Sequence, residues 1–139
     1  MLKVLIVDDE VLARETIKLL LSSITDIAQV YEAENGNQAL TFANQYQPDI
    51  VVLDIEMPGM SGIELARLLP KDCVVIFATA YNQYAVDAFE LNSVDYLLKP
   101  FDDDRFYVAF ERAKVRLTEG GSQNYEGLNE TIKPALSGR

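Results

Sequence analysis

Short apolar runs that alternate with helical patterns are the feature that most limits how this chain can fold. Three runs are apolar at consecutive positions, which is typical of strands covered on both faces of a parallel sheet. A fourth is shorter on apolar residues and a fifth follows a more alternating pattern. The three continuous runs are VLIV (4–7), IVVL (50–53) and VVIFA (74–78). The fourth is DYLL (95–98), and the alternating fifth is AQVYEA (28–33).

Between the candidate strands, apolar residues recur at helical spacing, as on one face of an amphipathic helix. Ser61 and Glu64 predict a capping box at the start of the third helix, and Asn82 is a candidate N-cap for the fourth. The expected inward faces are Ile17, Leu20, Leu21 and Ile24; Ala39, Leu40 and Ala43; Leu65, Leu68 and Leu69; Ala85, Ala88 and Phe89; and Phe106, Phe110, Ala113 and Leu117.

The alternation of strand and helix predicts the fold class. Right-handed crossovers between successive strands give a parallel sheet with helices on both faces, a doubly wound α/β domain. The pattern stops near Thr118, and the residues that follow are rich in Gly, Asn and Ser. We therefore predict one domain over residues 1–117 and a linker or tail over residues 118–139.

Composition excludes several classes of function. The net charge of −10 argues against direct binding of nucleic acid by bulk electrostatics. The chain has no histidine, which excludes histidine metal sites and histidine-dependent nucleophiles, and Cys73 alone cannot form a cysteine cluster. No apolar stretch approaches the roughly 20 residues of a membrane span, and the N-terminus lacks a signal-peptide pattern. We expect a cytoplasmic protein that has no membrane partner.

Polar side chains follow four of the predicted strands. Asp8 and Asp9 follow the first, Asp54 the third, and Lys99 the fifth, while Thr79 ends the fourth. In a parallel sheet these positions share one edge, where the repulsion between carboxylates requires compensation. Mg²⁺ is the usual intracellular cation for such a site. Asp54 is then a candidate nucleophile toward phosphorus, with the ammonium and the hydroxyl binding phosphoryl oxygens.

Four stretches also resemble those of a known family, in order and in spacing. They are VLIVDDE (4–10), VVLDIEMPGMSGIEL (51–65), ATA (78–80) and DYLLKPF (95–101). Over about residues 1–117 the chain resembles the receiver domains of two-component response regulators. The resemblance implies a flavodoxin-like (βα)5 fold with strand order 2-1-3-4-5. It also implies that Asp54 is the phosphoacceptor. The implied Mg²⁺ ligands are Asp8, Asp9, Asp54 and the backbone carbonyl of Glu56. Lys99 would bind the phosphate, and Thr79 with Tyr96 would form the switch pair.

The same resemblance implies partners and an output. The phosphoryl donor would be a separate sensor histidine kinase, with acetyl phosphate as a second source. The domain would catalyse its own phosphorylation and dephosphorylation without turning over another substrate. The face formed by the fourth helix, fifth strand and fifth helix would then change, which favours a homodimer through residues 82–117. Tyr81, Tyr84 and Phe89 are candidates for packing or for this interface, with packing preferred for Phe89.

A narrower resemblance concerns the stretch ATAYNQYAVDAFELNSVDYLLKPF (78–101). It is similar to receivers joined to LytTR-type DNA-binding domains, the LytR/AlgR-like group of transcription regulators. Such a domain would follow residue 139 in a longer protein, and DNA would be bound only through it.

Two other functions compete with this interpretation. Haloacid-dehalogenase-like phosphatases also use a strand-end aspartate, a threonine or serine, a lysine and Mg²⁺, but their nucleophile usually follows the first strand. Here the acidic pair comes first, at Asp8 and Asp9. A receiver-like domain that only binds partners would usually lack the acidic pair, the acceptor or the lysine, and this chain has all of them.

Glu56, two residues after Asp54, is a candidate for guiding or hindering water near Asp54, or a solvent-facing loop acid.

Overall fold

The computed structural model describes residues 1–120, which form five strands and five helices in alternation. The strands are β1 (Leu2–Val7), β2 (Ile27–Ala33), β3 (Ile50–Leu53), β4 (Val74–Thr79) and β5 (Asp95–Leu98). The helices are α1 (Val11–Leu21), α2 (Gly36–Tyr46), α3 (Gly62–Leu68), α4 (Ala85–Glu90) and α5 (Asp103–Gly120). Every predicted strand is present within one or two residues of its expected bounds.

The five strands form one parallel sheet in the order β2-β1-β3-β4-β5. This confirms the predicted doubly wound, flavodoxin-like α/β fold. The order reverses at β1, so β1 and β3 are neighbours at the centre of the sheet. Sites in open α/β sheets form at the carboxyl ends of strands on either side of such a reversal.

The core explains why the apolar runs are continuous. Successive residues of a strand point to opposite faces of the sheet. In β1, Val4 and Ile6 join one buried cluster with residues of α1 and α5. Leu5 and Val7 join a second cluster on the other face, with residues of α2 and α3. Because helices cover both faces, no position in the central strands is left for a polar side chain until the strand ends.

The fourth helix departs from the prediction. It begins at Ala85, its N-cap position is Tyr84, and Asn82 makes no side-chain cap. Ala88 is its buried residue, whereas Phe89 is 82% exposed. Consecutive helical residues are about 100° apart, so a helix of this length that turns Ala88 to the core leaves Phe89 in solvent. The predicted inward positions of Phe89 and Ala85 were therefore wrong.

The remaining helices agree better with their predictions. Ser61 and Glu64 form the complete capping box of α3. Of the three leucines predicted to face inward there, Leu65 and Leu69 are buried, whereas Leu68, the last residue of this short helix, is exposed. The last helix continues to Gly120, three residues past the predicted boundary at 117. The remainder of the predicted tail, 121–139, lies outside the described residues. None of the helices in residues 1–120 is long and apolar enough to cross a membrane.

Two phenylalanines allow a matched test of this packing. Phe106 is fully buried on α5, whereas Phe89 is largely exposed. We expect Phe106→Ala to lower the free energy of unfolding by about 3–5 kcal/mol, because it leaves a cavity in the core. Phe89→Ala should change it by less than about 0.5 kcal/mol. Urea unfolding followed by circular dichroism measures both, and equal losses would contradict the assigned packing.

Candidate functional site

The carboxyl ends of β1 and β3–β5 meet at one edge of the sheet, and backbone hydrogen bonds continue past the strands there. The Asp54 N–H donates to the carbonyl of Val7 at 3.0 Å, and the Lys99 N–H donates to the carbonyl of Thr79 at 2.7 Å. The Asp8 N–H donates to a β2 carbonyl at 3.1 Å. The backbone at Asp8, Asp54 and Lys99 is therefore held by the sheet at the point where each side chain enters the site.

Three carboxylates converge at this edge. Asp8, Asp9 and Asp54 each offer an oxygen, and these atoms lie within 4.8 Å of one another. Asp8 and Asp54 are buried and Asp9 is exposed. Burial raises the pKa of Asp54, and Asp8 raises it further, while the Lys99 charge opposes both. An all-oxygen, anionic cluster with one open side has the donor chemistry that suits a hard divalent cation such as Mg²⁺.

Lys99 provides the compensating charge from β5. Its Nζ lies 2.7 Å from Asp8 Oδ2 and 3.6 Å from Asp54 Oδ2. Burial acts to lower the pKa of this ammonium, but the hydrogen bond to Asp8 and the neighbouring carboxylates outweigh it and raise the pKa. Lys99 therefore carries its charge at neutral pH and lies between two of the acids.

Thr79 is fully buried at the end of β4. Within residues 1–120 its Oγ1 makes no hydrogen bond that satisfies the usual geometry, although its proximity lowers the pKa of Asp54. The hydroxyl lies close to the Asp54 carboxylate without being aligned to donate to it. A buried hydroxyl without a partner is costly, so Thr79 is available for an additional oxygen acceptor at Asp54.

Gly62 is a site residue that the sequence pattern did not reveal. The first turn of α3 packs on the backbone that carries Asp54, and the Gly62 N–H donates to the carbonyl of Ile55 at 2.8 Å. A Cβ on Gly62 would lie 2.1 Å from the carbonyl oxygen of Asp54. Only glycine allows this approach. The Ile55 N–H in turn donates to Asp54 Oδ1 at 2.7 Å, which orients the carboxylate.

Two tyrosines hold the loop between β4 and α4 beside this edge. The hydroxyl of Tyr96 donates to the carbonyl of Tyr81, and the Tyr96 ring packs against Phe77. The hydroxyl of Tyr84 donates to the carboxylate of Glu56. The Glu56 side chain therefore does not simply face solvent, and Tyr84 has a partner in the loop after Asp54. The sequence could not reveal this pair, because loop geometry brings together residues 28 positions apart.

The structure thus brings together Asp8, Asp9, Asp54, Thr79 and Lys99, as expected from their strand-end positions. Tyr96 lies farther along the same side, linked to the β4–α4 loop rather than to the carboxylates. Glu56 lies in the turn that follows Asp54. Whether its carbonyl serves as a ligand stays a prediction from the resemblance.

The chain is similar to known proteins over the elements that form this site. Residues 4–111 match the family described as the response regulator receiver domain. The chain is 44% identical over 120 residues to the sensory transduction protein LytT of Oceanobacillus iheyensis, covering 83% of this chain and 49% of that protein. It is 40% identical over 138 residues to the transcriptional regulatory protein BtsR of Shigella flexneri, covering 98% and 56%. The chain spans about half the length of these curated relatives.

Solved structures agree with these matches. The response regulator protein TrrA of Thermotoga maritima, in complex with Mg²⁺ and BeF, is 35% identical with a TM-score of 0.73, covering 81% of this chain and 99% of that one. The response regulatory domain of mrkE from Klebsiella pneumoniae is 30% identical with a TM-score of 0.77, covering 84% and 98%.

The carboxylate cluster predicts an unusual dependence of stability on pH and on cation. The pKa of Asp54 is raised on folding from 3.8, so the folded state binds more protons than the unfolded state between 3.8 and the higher folded pKa. Its contribution to stability therefore falls as pH rises through that window. We expect Asp54→Asn to be more stable than the wild type at pH 7, and Asp72→Asn, at an exposed carboxylate, to be unchanged.

Mg²⁺ should reverse the order of stability between the wild type and Asp54→Asn. Mg²⁺ at 100 times its dissociation constant should add about 2.7 kcal/mol to the wild type and less to Asp54→Asn. Thermal unfolding at pH 7, with and without Mg²⁺, gives both comparisons. An Asp54→Asn variant that is less stable than the wild type without Mg²⁺ would contradict the assigned repulsion.

Proposed function

The chain belongs to the response regulator receiver domain family, and on that basis we propose that it is a phosphorylation switch whose acceptor is Asp54. The observation that carries the proposal is the convergence, at the edge of the sheet where the strands end, of three carboxylates, one ammonium and one buried hydroxyl that has no hydrogen-bond partner in the described part of the chain. We infer that the receiver unit ends with α5, close to the predicted boundary at residue 117.

The chemistry at Asp54 follows from its contacts. Oδ1 is held by the Ile55 N–H, and Oδ2 lies near Lys99. An Asp54 oxygen attacks phosphorus, a new O–P bond forms, and the bond from phosphorus to the donor breaks as the leaving group departs with its electron pair. Lys99 can then bind a phosphoryl oxygen while it remains near Asp8, and the Thr79 hydroxyl can donate to another. Both interactions strengthen as charge develops on the transferred group.

A divalent cation fits this site. Asp8, Asp9 and Asp54, with the backbone carbonyl of Glu56, would hold Mg²⁺. When bound, Mg²⁺ supplies positive charge that offsets the carboxylates and the incoming anion. The convergence of the three acids, with the Lys99 ammonium beside Asp8 and Asp54, supports this division of roles.

The phosphoryl donor is proposed to be a separate sensor histidine kinase, acting in the cytoplasm. The chain has no histidine of its own to carry the group. Acetyl phosphate is proposed as a second donor. Phosphorylation and its reversal are then catalysed by the domain, which is a signalling protein and turns over no other substrate.

The switch itself is proposed to act through α4, β5 and α5. A phosphoryl group on Asp54 draws Thr79 toward it, which frees space behind β4. Tyr96 then leaves the carbonyl of Tyr81 and turns inward. The surface that changes already exposes large apolar side chains, a feature of interaction sites. They are Val86 and Phe89 on α4, Leu98 on β5, and Val108 and Val115 on α5.

This surface is proposed to form a homodimer when Asp54 is phosphorylated. In a longer protein, dimerisation would bring together two output domains that follow residue 139. The names of the matched relatives and the similarity of residues 78–101 support an output in transcription, through a LytTR-type DNA-binding domain. DNA would then be contacted by that domain and not by this acidic one.

Stoichiometric phosphorylation tests the function directly. Incubation with acetyl phosphate and Mg²⁺ should raise the mass of the wild-type chain by one phosphoryl group, and Asp54→Asn should not gain it. Removal of Mg²⁺ with a chelator should prevent the change. Intact-protein mass spectrometry makes the measurement. Steady turnover of phosphate esters would favour a haloacid-dehalogenase-like phosphatase instead.

Dimerisation needs its own measurement. We expect beryllofluoride with Mg²⁺ to double the mass of the chain in sedimentation. Phe89→Ala should weaken that dimer by about 1–2 kcal/mol, as for a central apolar interface residue. Leu12→Ala is the matched control, because Leu12 is equally exposed but lies on α1. An unchanged mass with beryllofluoride would defeat the dimer.

A further inference from the structure

Arg14 on α1 reaches the backbone of the acidic pair. Its Nη1 donates to the main-chain carbonyl of Asp8 at 2.7 Å, and its Nε donates to Glu32 Oε1 on β2 at 3.1 Å. The side chain is only 13% exposed. The planar guanidinium therefore joins α1 to the ends of two strands, a two-point geometry that a lysine ammonium cannot reproduce.

The other polar atoms of Asp8 are already engaged. Oδ1 accepts from the Glu10 N–H at 3.0 Å, Oδ2 accepts from Lys99 at 2.7 Å, and the N–H donates to Ala33. The carbonyl, which belongs to the peptide leading into Asp9, is held by Arg14. Within residues 1–120 the Asp9 side chain has no hydrogen bond or ion pair of its own. Among these residues, only the backbone therefore constrains the position from which the Asp9 side chain extends.

We propose that Arg14 is a positioning residue for the divalent-cation site: it fixes the peptide between Asp8 and Asp9 so that the Asp9 carboxylate stays beside Asp8 and Asp54. This rests on the proposed function, in which those three acids hold Mg²⁺. Partners that orient metal ligands from outside the ligand set typically contribute 10–100-fold to metal affinity.

The charge of Arg14 would act in the opposite direction. A cation near the three carboxylates repels a second cation, so removing the guanidinium would tighten Mg²⁺ binding if charge were its main effect. Much of that charge is neutralised by Glu32, which also pairs with Lys18 at 3.0 Å. Burial acts to raise the pKa of Glu32, but Lys18 and Arg14 lower it overall, so Glu32 is ionised at neutral pH. The sign of the effect on Mg²⁺ affinity therefore separates positioning from charge.

The test compares Arg14→Gln and Arg14→Lys with the wild type. Mg²⁺ affinity is measured by calorimetry, and the rate of phosphorylation by acetyl phosphate is followed against Mg²⁺ concentration. Both variants should raise the Mg²⁺ dissociation constant about tenfold. The maximal rate at saturating Mg²⁺ should stay within about twofold, because the cation then restores the arrangement of its ligands. Arg14→Lys keeps the charge, so its loss of affinity reports geometry.

Two further variants complete the test. Lys18→Ala removes a partner of Glu32 that does not touch Asp8 and should leave Mg²⁺ affinity unchanged. Glu32→Gln loosens Arg14 without altering it and should weaken Mg²⁺ binding by a smaller factor, even if the Arg14 variants fold poorly; the loss should persist at high ionic strength, where the effect of the missing Glu32 charge is screened. Unchanged or tighter Mg²⁺ binding in Arg14→Gln or Glu32→Gln, with native circular dichroism, would overturn the proposal. Failure of the wild type itself to bind Mg²⁺ would instead overturn the proposed function.

Discussion

Repulsion among three carboxylates at one end of the sheet is the constraint on which the rest of this structure depends. Asp8, Asp9 and Asp54 come together because β1 and β3 are neighbours at the centre of the sheet. Lys99 offsets part of the repulsion from β5. Burial, together with the charge of Asp8, still raises the pKa of Asp54; this costs stability at neutral pH, and the two-sided apolar core tolerates the cost. In the proposed function, a bound cation would offset this unfavourable charge, so the structural cost and the proposed function would have one origin.

The site is connected to the surface by contacts at the end of β4. Thr79 lies at the carboxylates without a hydrogen-bond partner in residues 1–120, and the loop that follows it is held at two points. Tyr96 holds the carbonyl of Tyr81, and Tyr84, at the start of α4, holds Glu56 in the turn after Asp54. A change at Asp54 can therefore reach α4 both through β4 and through the Glu56 turn. Packed contacts between elements can have discrete alternative arrangements, which suits the proposed switch.

The errors in the sequence-based predictions share one cause. Phe89 was expected in the core because it is large and apolar, yet the start of α4 at Ala85 rotates it into solvent. Gly62 and Arg14 gave no signal, because their roles depend on the Asp54 and Asp8 carbonyls lying beside them. Helical phase and contacts to backbone atoms are decided by packing between distant segments, which residue spacing does not encode.

The sequence by itself determined the parallel α/β class, the alternation of elements and the identity of the site. Continuous apolar runs require cover on both faces, and polar residues can enter only where a central strand ends. The family resemblance, confirmed by the match over residues 4–111, agrees with that pattern. Only the tertiary structure decided which atoms hold these side chains: Lys99 on Asp8, Tyr84 on Glu56 and Arg14 on a carbonyl. The first two contacts join residues 91 and 28 positions apart, and the third depends on how α1 packs beside the end of β1, so all three exist only once the sheet has formed.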